Sequence, residues 1–217
     1  SKFYTDFIQT RLKPKPGLFR KHIYGSRLHF TGRAVITSIS DPHRSDECHL
    51  PWGLATQLLK YHIINVLLRE RTTLTPNEAL TFVTSHVKRY SEELDRIFHT
   101  LVREAPDVGI PISLQRNPTL QRGSTQRLFI TKIKPDIADP TISLSINSLR
   151  GANADFDGDE LSLVLATDNL QANYFERMRP ELWALSLDEP RKVSGHLTLQ
   201  GPLVDTCHNW IHADYLK

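Results

Sequence analysis

Two periodicities divide the chain. Over 52–71, Leu54, Ala55, Leu58, Leu59, Val66 and Leu67 recur at helical spacing, and Ala79, Leu80, Val83, Val87, Leu94, Ile97, Phe98 and Leu101 carry the apolar face on to about Glu104. Between them Thr75-Pro76-Asn77-Glu78 supplies an N-cap, a proline at the first helical position and a capping-box Glu. The spacing predicts a helical insert, in which His62 and His86 read as packed or surface residues rather than ligands. On either side the period drops to two. After the Pro106-Asp107-Val108-Gly109 turn, strands are predicted over 110–115, 127–133, 141–146 and 161–165. Upstream, Arg27-Leu28-His29-Phe30-Thr31-Gly32-Arg33 alternates in the same way. Asp168 with Gln171 can cap a helix running to about Arg179. Short strands split by a helical insert predict a mixed α+β chain with a barrel core.

Composition changes this picture little. The 217 residues are 39% apolar and 24% charged, which is ordinary globular usage for one large or two small domains. No apolar run approaches the roughly 18 residues of a membrane span and no signal pattern opens the chain, so a soluble, unsecreted protein is expected. Cys48-His49 and Cys207-His208 lack the local spacing of a zinc site and read as ordinary thiol positions in a reducing compartment. Charge is more informative. The net +3 hides a balance of +7 over residues 1–44, leaving −4 for the rest. That basic end, with Arg20, Lys21, Arg27 and Arg33, is the candidate nucleic-acid surface; alternation would place Arg27 and Arg33 on one face, with His29 beside them, to pair with backbone phosphates.

The sharpest chemistry lies at Asn153-Ala154-Asp155-Phe156-Asp157-Gly158-Asp159. Three carboxylates spaced two apart, with a glycine between the last pair, can converge on one hard cation, and they repel strongly without one. Mg²⁺ suits such a site because it takes oxygen ligands and keeps positions open for phosphate. An EF-hand is excluded, since counting from Asp155 its glycine and bidentate Glu positions hold Glu160 and Ala166. A haloacid-dehalogenase phosphatase is a poor fit: Ser148-Leu149-Arg150-Gly151-Ala152 precedes the stretch in place of an apolar strand, and Asp159 follows where Thr or Val belongs.

The same heptad resembles the full metal-binding signature of the largest, β′-like, subunit of multi-subunit DNA-dependent RNA polymerases. Two further segments are similar to that subunit in the family's order: Gly17-Leu18-Phe19-Arg20 through 25–36, and Leu114-Gln115-Arg116-Asn117-Pro118-Thr119-Leu120-Gln121-Arg122, with weaker similarity over 193–210. The resemblance implies a double-psi β-barrel core with a helical insert and a helical C-terminal part. The expected divisions are a basic arm at 1–16, the first part of the catalytic barrel at 17–50, the insert at 51–106, the second part with the metal loop at 107–167, and the helical C-terminal part at 168–217.

The function so implied is nucleotidyl transfer to an RNA 3′ end. Asp155, Asp157 and Asp159 would be the catalytic and metal-ligating residues for one Mg²⁺, a second Mg²⁺ arriving with the nucleoside triphosphate. Arg116, Pro118 and Asn153 would bind the nucleotide; a guanidinium and an amide can hydrogen-bond the 2′-hydroxyl that deoxyribonucleotides lack. The basic N-terminal stretch would contact template and RNA–DNA hybrid. Implied partners are a β-like subunit, the remaining β′-like polypeptides, DNA template, RNA product and nucleoside triphosphates, with no membrane. Because the second barrel, bridge helix and trigger loop are not visible, the chain is expected to be inactive alone, as a fragment or as part of a divided subunit. Leu18, His29 and Asn117 depart from the family's usual residues and, with the small size, favour the divided form of some giant bacteriophages, in host cytoplasm or packaged in a virion. Two alternatives stay open: an RNA-silencing two-barrel RNA-dependent RNA polymerase, which shares an Asp-x-Asp-Gly-Asp loop but not the 17–36 pattern, and a non-catalytic nucleic-acid-binding scaffold subunit, against which the three aspartates argue.

Overall fold

The computed structural model describes residues 2–9, 25 and 28–180, and in it the period-two stretches pair into a closed barrel. Its strands are β1 (Thr31–Ser38), β2 (Glu47–Pro51), β3 (Ile110–Gln115), β4 (Thr125–Lys134), β5 (Ile142–Leu144) and β6 (Glu160–Leu165), in the order β1-β5-β2-β4-β3-β6 with β6 closing onto β1. β1 and β5 run parallel, as do β2 and β4, and the other neighbours are antiparallel. Alternation supplies the interior: Cys48 and Leu50, Ile112 and Leu114, Leu128 and Ile130, Ile142 and Leu144, and Leu161, Leu163 and Leu165 are all buried. The architecture is the mixed α+β, double-psi barrel expected from the sequence.

The described helices are α1 (Lys2–Phe7), α2 (Trp52–Leu58), α3 (Lys60–Glu70), α4 (Pro76–Ser85), α5 (Glu92–Arg103), α6 (Ile146–Ala152) and α7 (Asn169–Phe175), the last continued by a 3₁₀ turn at Glu176–Met178. Helices α2 to α5 lie between β2 and β3 in sequence, and their apolar faces share one continuous core with the barrel. Trp52 sits at that junction. It is fully buried, its Nε1–H donates to the His86 carbonyl at 2.8 Å, and its ring meets Phe98 edge-on at 5.3 Å. The capping box at Thr75 and Glu78 forms as its residue types dictate, and Asp168 caps α7 through the Gln171 N–H at 2.7 Å.

Three expectations are corrected. The 52–71 helix is two helices, broken at Leu59, whose backbone leaves helical values (φ −91°, ψ 10°) while Leu58 and Leu59 both stay in the core. The strand expected over 141–146 ends at Leu144. Ser145 then caps α6, whose Ser148, Leu149 and Ala152 are buried at helical spacing while Ile146 stays exposed, so the acidic loop lies between a helix and a strand rather than between two strands. Finally, β1 begins only at Thr31. Phe30 has a positive φ of 59° and His29 turns edge-on to Tyr61, so His29 and Arg33 do not share a strand face. Arg20, Lys21, Arg27, the 17–20 motif, the 193–210 similarity and Cys207-His208 lie outside the described residues.

Candidate metal and nucleotide site

Local sequence explains how the acidic loop is held. Helix α6 stops at Asn153, which adopts the left-handed conformation (φ 52°, ψ 43°) that asparagine tolerates better than other side-chain-bearing residues. The Asn153 N–H donates to the Arg150 carbonyl at 3.2 Å and the Ala154 N–H to the Leu149 carbonyl at 3.0 Å, which ties off the helix end. Alternation then sorts the next residues. Ala154 and Phe156 pack against the core, while Asp155 and Asp157 are exposed. Gly158 supplies the sharp turn at φ 113°, where a side chain would be strained. The Asp159 carbonyl accepts from the Ile36 N–H at 3.0 Å, and the chain enters β6.

Arg116 reaches this loop from the end of β3. Its Nε–H donates to Asp159 Oδ2 at 3.0 Å and its Nη2–H to Oδ1 at 3.4 Å, and the Asp155 N–H also donates to Oδ2 at 3.1 Å. The Arg116 guanidinium first, and the Asp155 N–H second, hold the Asp159 carboxyl below the ordinary carboxylate range. Asp155 Oδ1 accepts from the Phe156 N–H at 2.7 Å. Asn117-Pro118 follows Arg116, and the Gln115 amide donates to Asn117 at 3.3 Å and to Thr119 at 2.9 Å. The sequence-predicted Arg116 and Asp159 are therefore brought into contact, and Asp155 and Asn153 flank them along the loop.

The donor set fits a hard divalent cation in kind and charge: three carboxylates within five residues, two of them solvent-facing, with one guanidinium in contact. The structure does not gather them around one point. Among the described residues no group of three or more His, Cys, Asp or Glu side chains is placed to share a metal ion, since Asp159 is turned to Arg116. Arg33 is paired at the surface: its Nε lies 2.7 Å from Glu160 on the neighbouring strand, with both side chains about half exposed.

Several supporting residues were not legible as such. The Gln121 amide donates to the Arg150 carbonyl at 3.1 Å and the Gly151 carbonyl at 2.8 Å; the Gln126 amide donates to the Gly123 carbonyl at 2.8 Å and the Ser148 carbonyl at 2.9 Å. These glutamines satisfy carbonyls at the C-terminal end of α6 and bind the segment after Arg116 to the helix before the aspartates. Gly123 and Gly151 permit the approach, for a Cβ on Gly123 would lie 2.8 Å from Gly151 Cα. Paired glycines beside two candidate motifs were the available signal. Further back, the buried Arg127 hydrogen-bonds Glu176, lies 3.6 Å from Asp46 and stacks over the Phe129 ring at 4.3 Å, fixing the turn after α7 to the barrel. Cys48 is buried in the barrel core, and burial pushes its thiol up to about 12.

Comparison with known proteins places this arrangement. The family model of RNA polymerase Rpb1, domain 2, matches residues 25–178. The chain is 28% identical to the DNA-directed RNA polymerase subunit beta' of Petrotoga mobilis over 91% of its own length and 12% of the relative's. It is 33% identical to that of Porphyromonas cangingivalis over 73% of this chain and 12% of the relative, and 34% identical to that of Azobacteroides pseudotrichonymphae over 75% and 10%. The chain thus spans about an eighth or less of the length of these relatives.

Proposed function

This chain belongs to the RNA polymerase Rpb1 domain 2 family and is a β′-like RNA polymerase subunit region, and from that premise we propose that it carries the aspartate loop for DNA-templated nucleotidyl transfer to an RNA 3′ end. The observation that carries the reading is the placement of Asp155, Asp157 and Asp159 on a turn anchored to the barrel through Phe156 and the Asp159 backbone, with Arg116 at its edge. Asp155, Asp157 and Asp159 would hold Mg²⁺, which when bound supplies a Lewis acid for the attacking hydroxyl and for phosphate charge. Asn153 and Arg116 would orient the ribose, and Pro118 would shape the pocket. No side chain in this group needs to act as a nucleophile.

Activity would require a β-like subunit and the remaining β′-like polypeptides, in the divided-subunit form that the departures at Leu18, His29 and Asn117 favour. Purifying the native complex through this chain and identifying its components by mass spectrometry tests this. A β-like subunit is expected, and nucleotide addition by the isolated chain would overturn the reading.

Sugar selection has a cleaner probe than alanine. Because Asn153 sits at φ 52°, Asn153→Ala mixes amide loss with backbone strain, whereas Asn153→Gly keeps the turn and removes only the amide. In the assembled polymerase, Asn153→Gly is expected to narrow the preference for ribonucleotides over deoxyribonucleotides about tenfold, the value of one hydrogen bond of about 1–1.5 kcal/mol. Matched single-nucleotide extension measures it. An equal loss for both sugars would leave Asn153 with a backbone role alone.

At the basic end, Arg20→Ala and Arg27→Ala are each expected to weaken binding to template–RNA scaffolds of any sequence and to reduce the salt slope by about one unit per phosphate contact. Titrations across a salt series decide it; a changed base preference with an unchanged slope would exclude phosphate contact.

A further inference from the structure

The contact between Arg116 and Asp159 has a consequence for how the loop takes up its ion. Both side chains are about three-quarters buried, with exposures of 21% and 26%, and the guanidinium engages both carboxylate oxygens. Oδ2 is also taken by the Asp155 N–H. A carboxylate so engaged cannot turn toward Asp155 and Asp157 without breaking the Arg116 bonds. Those two aspartates have no ion-pair partner among the described residues, so the guanidinium and a shared cation compete for one member of the triad.

We propose that Arg116 is a built-in competitor for the loop's cation: the guanidinium and the ion are alternative partners of Asp159, so ion binding releases the Arg116 side chain toward the incoming nucleotide. This rests on the metal-loop reading of Asp155, Asp157 and Asp159. The backbone supports a side-chain exchange rather than a loop movement, because the Arg116 N–H is fixed to the Ser124 carbonyl at 3.0 Å and the segment beyond is pinned to α6 by Gln121. Electrostatics favours the exchange. A single charge and a double charge on the same carboxylate repel each other, and in a partly solvated site removing the single charge is worth about a tenfold change in affinity for the ion. Linkage makes the effect reciprocal: an anionic group that draws Arg116 away tightens ion binding by the same factor by which the ion tightens binding of that group.

The test is Mn²⁺ titration of the full chain, free Mn²⁺ being read by electron paramagnetic resonance. Arg116→Ala, and Arg116→Gln as the variant of similar length, are expected to bind Mn²⁺ about tenfold more tightly than the unsubstituted chain, with Arg116→Lys in between. Asp157→Ala, alone or combined with Arg116→Ala, is expected to lose the site. If Asp157→Ala abolishes Mn²⁺ binding but Arg116→Ala and Arg116→Gln bind no more tightly than the unsubstituted chain, the exchange is wrong and the metal loop stands. If Asp157→Ala leaves binding unchanged in both backgrounds, the metal-loop reading falls and the exchange with it.

Discussion

Asp157→Ala is expected to abolish nucleotide addition by the assembled polymerase while leaving the chain folded and in the complex. Asp157 is exposed on the turn before Gly158 and makes no hydrogen bond or ion pair among the described residues, so nothing in the barrel depends on it. Its truncation should stay within about 0.5 kcal/mol in stability, as for surface changes away from structural features. Its carboxylate is nonetheless one of three that would neutralise a divalent ion, and losing a ligand from a site of three protein donors leaves the nucleotide's phosphates without their counter-charge. A drop of at least about a thousandfold in single-nucleotide extension is expected, comparable with losing one preorganised group that stabilises the transition state. The measurement needs a complex shown by mass spectrometry to contain only the substituted chain. Extension at the unsubstituted rate would remove Asp157 from the site.

The contrast between Asp157 and Arg116 explains what could be read in the sequence. The aspartates were legible because the motif is local: residue type, spacing and one glycine all fall within seven positions, and alternation alone sorts Ala154 and Phe156 inward from Asp155 and Asp157. Strands β3, β4 and β6 were legible for the same reason, as were the Thr75–Glu78 capping box and the Asp168 cap, each closed within three or four residues, whereas β2 was not singled out. Arg116 could be singled out only through resemblance. Its contact with Asp159 crosses 43 positions, and no local pattern encodes it.

Where local patterns misled, a tertiary contact had decided the outcome. Ile142, Leu144 and Ile146 continue a period of two, yet the strand stops at Leu144 because Ser145 can cap a helix and because Ser148, Leu149 and Ala152 find a core to enter. Leu58 and Leu59 fit a helical pattern and both are buried, yet the backbone turns at Leu59 (φ −91°, ψ 10°), where no glycine or proline marks a break. Arg33 is strand-like, basic and exposed, and closure of the barrel also sets its Nε 2.7 Å from Glu160, which lies diagonally from it on β6, so a phosphate there would share the guanidinium with a carboxylate. Charge counted along the chain does not reveal which charges are already paired.

Gly123→Ala is expected to cost activity out of proportion to its cost in stability. An added Cβ would lie 2.8 Å from both Gly151 Cα and the Gly151 carbonyl oxygen and 3.0 Å from its carbon, and these are backbone atoms that cannot rotate away. The turn at Arg122–Ser124 and the end of α6 must separate, which strains the Gln121 and Gln126 bonds to the Arg150, Gly151 and Ser148 carbonyls. Overpacking of this kind costs about 1–3 kcal/mol. The larger effect is geometric. The end of α6 carries Asn153 and the aspartates, while the other side of the contact carries Arg116 and Pro118, so separation would open the proposed nucleotide site along its width, and a displacement of about 1 Å can cost on the order of a hundredfold in rate. Gly109→Ala is the control, because its Cβ would lie 2.4 Å from the Ile130 carbonyl at the opposite end of β3 from Arg116. Thermal unfolding and specific activity per folded complex separate the two effects: Gly109→Ala should lose activity only as it loses folded protein, and Gly123→Ala should lose about a hundredfold beyond that. Equal specific activity in the two variants would show that the contact between Gly123 and Gly151 supports the barrel without positioning the site.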